Sequence, residues 1–347
     1  MHNAAVALRT SLCRRLGIEH PILCAGMGAA AGPDLVAAVS NAGGLGVLGV
    51  SGSKPEEIRR RIDRTRELTG KPFGVNFIID TESDEDVEFI QREVEAAASE
   101  KVAAIVLFWG DAAPYVDIAH AAGTLVLIQV GSVEEAESAA AVGVDAVIAQ
   151  GAEAGGHVRG TTSIWDLLPE VARALAPLPV LASGGIGDSR GVAHALRLGA
   201  QGISLGTRFI ATDEAFAHPE YKRRIVESAA TDTVYARDLF DVWWPDAPHR
   251  VLRNRIVREW EAAGRPPPGQ RPLEGTSIGT LTRSSGAKME WPRYAVGVVS
   301  PEFDGDIDDA PLWAGESCSV VNDMKPAGDV VRDLVRDAAG AIDRSVE

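Results

Sequence analysis

The sequence predicts an α/β protein: a (β/α)8 barrel of the TIM type, with a smaller, mostly helical domain inserted near its end. Three observations lead there. Eight short apolar runs recur over roughly the first 210 residues, each followed by a polar turn and an alanine-rich amphipathic stretch. The runs are continuous rather than alternating, which is the pattern of parallel strands buried on both faces. The chain also carries 36 glycines against 5% aromatic residues, a composition suited to tight turns and close backbone approaches.

In chain order the runs are 21–26, 44–49, 73–78, 103–109, 125–130, 146–151, 179–185 and 202–207. The stretches between them carry helix punctuation. Ser132 before Val133-Glu134-Glu135 reads as an N-cap, Ser163 to Asp166 fits a capping box, and Gly143 and Gly199 stand where helices end. This strand–helix period is that of a closed barrel. The alternative is an open doubly wound sheet. Its best support is Gly44-Leu-Gly46-Val-Leu-Gly49, which matches G-x-G-x-x-G but lies within an apolar run instead of a turn that opens a helix.

The composition changes after Thr212. Residues 213–263 read as helical and carry Trp243, Trp244 and Trp260; a proline-rich stretch (264–272) and an irregular segment follow, ending in the acidic run 302–309. That run reads as a solvated loop rather than a cation site. A last amphipathic helix is expected over about 327–344. The division is therefore a barrel over 1–212, an inserted domain over 213–310 that covers the active site, and a segment over 311–347 that returns to the barrel.

Composition also excludes partners. With 34 basic and 49 acidic side chains the net charge is −15, which argues against nucleic acid and anionic membrane surfaces. Three scattered cysteines without a C-x-x-C pair suit a reducing compartment. With no secretory h-region and no apolar run of membrane-spanning length, the expected location is the cytoplasm. No H-E-x-x-H spacing, G-x-S-x-G elbow or G-x-x-x-x-G-K-[ST] loop occurs, so no metal site, serine nucleophile or NTPase is expected.

In such a barrel the chemistry gathers at the C-terminal ends of the strands. There the sequence places Ala25, Gly26 and Met27, then Asn76, Gln129, and the segment Gln150-Gly-Ala-Glu-Ala-Gly155-Gly156-His157. Amides and small residues suit an uncharged, hydrogen-bonding planar cofactor. The last two strands end in Ser183-Gly184-Gly185 and Gly206-Thr207, where backbone N–H groups can approach a phosphate. His157 follows two glycines in a segment that reads as flexible and polar. Near its ordinary pKa a histidine there could exchange a proton or hold an anion.

These landmarks together resemble the nitronate monooxygenases, formerly 2-nitropropane dioxygenases, over nearly the whole chain. The resemblance rests on His20-Pro-Ile, Ser40-Asn-Ala-Gly-Gly-Leu-Gly46, Gly74-Val-Asn76, the 150–157 segment, Ala182-Ser-Gly-Gly-Ile186, Gly206-Thr-Arg-Phe209, Arg253-Asn254 and Ala314-Gly315-Glu316. It implies bound FMN, with the ring near Ala25, Gly26, Met27, Asn76 and Gln129. The phosphate would lie at Gly184, Gly185, Gly206 and Thr207, with Gln150, Gly155, Gly156 and Ser183 completing the cofactor site. It implies His157 as the catalytic residue and oxidation of alkyl nitronates or nitroalkanes by O2 to a carbonyl compound and nitrite; from composition alone, apart from the resemblance, Trp243 and Trp244 of the inserted stretch are expected to wall the pocket. One departure is Val158, which stands between His157 and Arg159 where the oxidase-type pattern reads His-Arg-Gly. Two alternatives stay open: an FMN-dependent NAD(P)H reductase of enoyl thioesters or quinones, and a flavin-free barrel that binds a phosphorylated metabolite. A homo-oligomer is compatible with any of them.

Overall fold

The computed structural model describes residues 8–282 and 286–343. The eight apolar runs form β1 (Ile22–Cys24), β2 (Gly46–Gly49), β3 (Phe73–Ile78), β4 (Ala104–Phe108), β5 (Leu125–Val130), β6 (Ala146–Gln150), β8 (Val180–Ser183) and β9 (Gly202–Leu205). The short β7 (Gly156–His157) lies outside this set. All eight pair in parallel in the order β1-β9-β8-β6-β5-β4-β3-β2, and a bridge between Leu23 and Leu45 closes the ring. An open doubly wound sheet is thereby excluded. The G-x-G-x-x-G glycines serve packing: a Cβ on Gly46 would stand 2.2 Å from the Val36 carbonyl oxygen of the helix behind the strand.

Alternate strand residues face opposite ways. Leu23, Val47, Val106, Leu127, Ile148 and Leu181 point into the ring and pack on Leu12, Cys13 and Leu16 of the Ser11–Leu16 helix. That helix stops the N-terminal end of the barrel, so the open end is the one where the strands finish. Ile22, Leu48, Val75, Ile105, Val126, Val147 and Ile203 point outward into the larger core shared with the helices. Ser132 caps its helix by accepting from Glu135 N, and Gly143 and Gly199 follow their helices in left-handed geometry, φ 91° and 103°. Ser163 is an N-cap too, but its hydroxyl accepts from Trp165 N and donates to Glu153 instead of making a capping box.

Residues 213–310 differ from the mostly helical expectation. They hold the helices Pro219–Val226 and Arg255–Ala262, and also β10 (Thr233–Ala236), β11 (His249–Leu252), β12 (Ser277–Thr282), β13 (Lys288–Pro292) and β14 (Phe303–Gly305). The reason is tertiary: β11 pairs on one side with β10 and on the other with β7, so its partner is the loop that leaves barrel strand β6. Strands of four residues offer too few alternations to be read locally. A separate apolar cluster that includes Phe240, Val251, Trp260, Trp291 and Tyr294 holds this region together. The acidic run is not simply solvated, since Asp306, Asp308 and Asp309 pair with Arg255, Arg258 and Arg224. The Ala327–Asp343 helix returns to pack on Pro33–Asn41 and Ser189–Arg197, filling the barrel wall between its first and last helices; the expected end at Arg344 lies outside the described residues. Among the described residues no helix is long and apolar enough to cross a membrane.

Candidate active site

The open end of the barrel holds a cavity of about 410 Å3. Ala25, Gly26, Met27, Asn76, Gln129, Gln150, Gly155, Gly156, His157, Ser183, Gly184, Gly185, Gly206 and Thr207 all line it. Its floor is the inward ring layer of Leu23, Val47, Val106 and Ile148. The sequence therefore brought its candidates together because strand ends converge in this fold.

On the β8 side, Gly184 and Gly185 are consecutive left-handed residues, φ 93° and 69°. Such a turn presents successive N–H groups to one side, a concavity for an anion. A Cβ on Gly184 would meet the Gly151 carbonyl at 2.9 Å, and one on Gly185 would meet the Glu153 Cβ at 3.0 Å. Glu153 in turn pins this loop: its carboxylate accepts from Ser163 Oγ and Ile164 N, and its carbonyl accepts from Glu316 N. Gly315 N donates to Thr207 Oγ1 at 3.0 Å, so the landmark 314–316 closes over the ends of β6 and β9. On the β1 side, a Cβ on Gly26 would stand 2.3 Å from the Asn76 Cβ. Only a bare backbone leaves that space open. Asn76 Nδ2 donates to the Val106 carbonyl, which fixes the amide at the rim.

Gln150 lines the cavity, but its amide is spent on the protein. Nε2 donates to the His157 carbonyl and Oε1 accepts from Arg159 N, so the side chain pins the loop that carries the histidine. The Val158 insertion is absorbed here: Val158 is buried and its N–H donates to the Pro248 carbonyl.

His157 is not on a flexible polar segment, as its flanking glycines suggested. It is in β7, paired opposite His249 of β11, and its ring lies among aromatic neighbours. Ring centroids are 4.0 Å away for Trp244, 5.3 Å for Trp313, 5.9 Å for His249 and 6.2 Å for Trp109. Nε2 is buried without a hydrogen-bond partner. Burial, with His249 adding repulsion, pushes the His157 pKa down to about 3, so the imidazole is neutral at physiological pH. His249 is neutral as well, pushed down to about 4 by burial, and is fully engaged: Nδ1 bonds the Ala247 carbonyl and Nε2 accepts from Phe240 N.

The rest of the wall comes from residues that the sequence did not mark as site candidates. Trp313, Val296, Gly297, Val298, Ile210 and Tyr221 line the cavity, together with Ser51, Ile78 and Phe108 from the barrel. Of the two paired tryptophans only Trp244 lines it, with Nε1 donating to Asp80 Oδ2 at 2.7 Å; Trp243 is 56% exposed. Among the described residues no group of His, Cys, Asp and Glu could hold a metal ion.

The cavity fits a flavin by its own features: a backbone cradle for an anion at one end, a rim of small residues and amides, and a histidine in an apolar setting. Comparison with known proteins agrees. The profile of the nitronate monooxygenase family matches residues 9–337. The chain is 32% identical to a nitronate monooxygenase of Pseudomonas aeruginosa, covering 94% of this chain and 98% of that protein. It is equally similar, 32% over 97% of each, to a Rhodococcus jostii (3aS,4S,5R,7aS)-5-hydroxy-7a-methyl-1-oxo-octahydro-1H-indene-4-carboxyl-CoA dehydrogenase. Among solved structures, FabK from Thermotoga maritima superposes with a TM-score of 0.80 at 34% identity, covering 97% of this chain and 98% of that one.

Proposed function

The chain belongs to the nitronate monooxygenase family of flavin-dependent oxidoreductases, and from that premise we propose that it binds FMN and oxidises alkyl nitro compounds with O2, giving a carbonyl compound and nitrite. The observation that carries this reading is His157: a neutral imidazole with an unpartnered nitrogen, beside a cavity that offers an anion cradle at its other end. Gly184, Gly185, Gly206 and Thr207 would hold the phosphate. Ala25, Gly26, Met27, Asn76 and Gln129 would border the ring system, with Ser183, Gly155 and Gly156 beside it and Gln150 acting through the loop. FMN, when bound, supplies the oxidation of the substrate and the transfer of electrons to O2.

The chain's own groups supply position and a proton site. Trp244 and Trp313 fix the plane of the imidazole, and Gln150 fixes the backbone that carries it. A nitroalkane seated here can pass its α-proton to an imidazole nitrogen. The nitronate and imidazolium so formed are an ion pair within a low-dielectric wall, and their attraction offsets the burial that holds the free histidine neutral. We also take residues 213–310 as an inserted unit covering the barrel mouth, with 311–347 as the return, and the cytoplasm as the site of action.

A second reading is favoured by the dehydrogenase and FabK similarities: a flavin reductase or dehydrogenase acting on a thioester. One experiment separates the two. The purified protein is expected to be yellow, absorbing near about 450 nm as flavins do, and to release FMN on denaturation. Mixed anaerobically, it should be bleached by propyl nitronate or nitroethane and not by NAD(P)H, and in air it should produce nitrite. Bleaching by NAD(P)H alone would replace the nitro reading with the reductase, and a colourless protein would overturn both.

A further inference from the structure

We propose that Trp109, which follows β4 and does not line the cavity, is a positioning residue: its indole backs the His157 ring and seats Trp244 against it. The use of His157 as a proton site rests on the reading above; the backing rests on the geometry of the wall.

Side chains alternate along β4, and Ile105 and Leu107 point outward into the core shared with the helices. Trp109 would follow them if the strand simply continued. Its φ is 71°, in the left-handed region, so the alternation ends there. The buried indole instead meets the ring wall. Ring centroids are 6.2 Å away for His157 and 5.3 Å for Trp244, with 83° and 67° between the planes, the steep edge-to-face arrangement that aromatic pairs favour. A bulky residue with positive φ is a backbone outlier that persists only where its surroundings hold it. Gly110, the next residue, presses against Ile79: a Cβ there would stand 2.4 Å from the Ile79 carbonyl oxygen, and Ile79 N donates to the Phe108 carbonyl. Asp80 accepts from Trp244 Nε1, so the joined ends of β3 and β4 both reach the same indole.

The charged and titratable groups around this layer are engaged with the protein. The Arg159 guanidinium lies 4.9 Å from the Trp109 ring centroid and is paired with Glu135, which also accepts from Gly131 N. Asp80 is bonded to Trp244, and His249 is neutral and bonded at both ring nitrogens. On the Trp313 side the indole N–H donates to the Gly297 carbonyl. Water is therefore what would replace the Trp109 indole, and water beside His157 would restore solvation to its charged form. The strained backbone is retained where it keeps the imidazole dry and aligned with Trp244.

Two variants test this on the protein as purified. Trp109→Phe keeps a ring on the left-handed backbone; Trp109→Gly removes the ring and relieves the backbone. Trp109→Leu, with the same expectations, stands in if the glycine variant does not fold. NMR titration of isotope-labelled histidine, with the His157 signal identified by its loss in His157→Asn, reads the imidazole without any substrate. At about pH 5 His157 should be neutral in the parent and in Trp109→Phe, and at least about one-tenth protonated in Trp109→Gly. With 1-nitrobutane and saturating FMN, kcat should fall about tenfold in Trp109→Gly and stay within about twofold of the parent in Trp109→Phe. An unmoved His157 titration in Trp109→Gly would overturn the proposal whatever happens to turnover, because the loss would then not run through the imidazole. A defect in Trp109→Phe as large as that in Trp109→Gly would overturn it too. If the parent does not turn over nitrobutane, the nitro reading has failed and the titration alone decides.

Discussion

The two halves of the cavity are made of different materials. The cradle half, at the ends of β8 and β9, is backbone: left-handed Gly184 and Gly185, and Thr207 held by Gly315. The ring half is side chain: His157, Trp244 and Trp313, brought together by β7, by β11 and by the bridge between Val251 and Trp313. A backbone cradle is rigid and fits any ligand with the right anion. A side-chain wall sets which substrate can lie against it. The difference suggests that cofactor binding and substrate choice can be broken separately, one half at a time.

The largest expected effect is in the ring half. His157→Asn should keep FMN, judged by the ratio of flavin to protein absorbance, and lose turnover by about 10²-fold or more if the imidazole takes the substrate proton. The pH dependence sharpens this. With its pKa lowered to about 3, His157 stays unprotonated through the neutral range, so turnover that needs the neutral ring should stay flat from pH 8 down to about 5 as far as this group is concerned. A rise in activity on acidification would mean that the imidazolium is the active form. Stability has its own sign. An unfolded histidine takes its proton near about 6.5 and the folded one only near 3, so the unfolded state binds more protons in between. Stability is therefore fully present above about pH 6.5 and is lost as the pH falls through that window, and His249 works in the same direction.

The cradle half should break the other way. Gly185→Val puts a branched residue at φ 69°, with its Cβ against Glu153, a strain of about 1–3 kcal/mol. The expected result is a protein that folds with a lower melting temperature and holds FMN at least about tenfold more weakly. Turnover should return once FMN is supplied in excess. Normal FMN retention would move the phosphate elsewhere on the rim, and turnover that stays lost at saturating FMN would mean that the halves are not separable.

The same contrast explains what the sequence could disclose. The barrel was legible because eight parallel strands buried on both faces leave continuous apolar runs, and because glycines at strand ends mark where backbone must be bare. All fourteen residues read from those ends line the cavity. The ring half was largely hidden. Trp313 and Val296 to Val298 lie in irregular chain without a period, and Trp313 is tied to the site by its bridge to Val251 of β11, which pairs with β7 across more than 90 residues of sequence. Gln150 does line the cavity, but its job of pinning the loop could not be seen, since both its partners lie in the turn it stabilises. The character of His157 was misread for the same reason: adjacent glycines signalled flexibility, and the burial that makes it neutral comes from residues distant in sequence.

The smallest expected effect lies where the barrel touches the ring wall from outside. Trp244 donates to the exposed carboxylate of Asp80 on the segment after β3, so the ring is held by packing against His157 and Trp109 and by one side-chain hydrogen bond across the mouth. Asp80→Ala removes that acceptor while water can still reach the indole N–H, a cost of about 1 kcal/mol. A loosened wall should raise KM for 1-nitrobutane about fivefold and leave kcat within about twofold, because the cradle and the imidazole are untouched. Asp80→Asn keeps a carbonyl oxygen in place and should recover most of the loss. Unchanged KM in Asp80→Ala would mean that ring packing alone holds Trp244. An equal defect in both variants would instead assign the effect to the charge of Asp80, and so to the field at the mouth rather than to the bond.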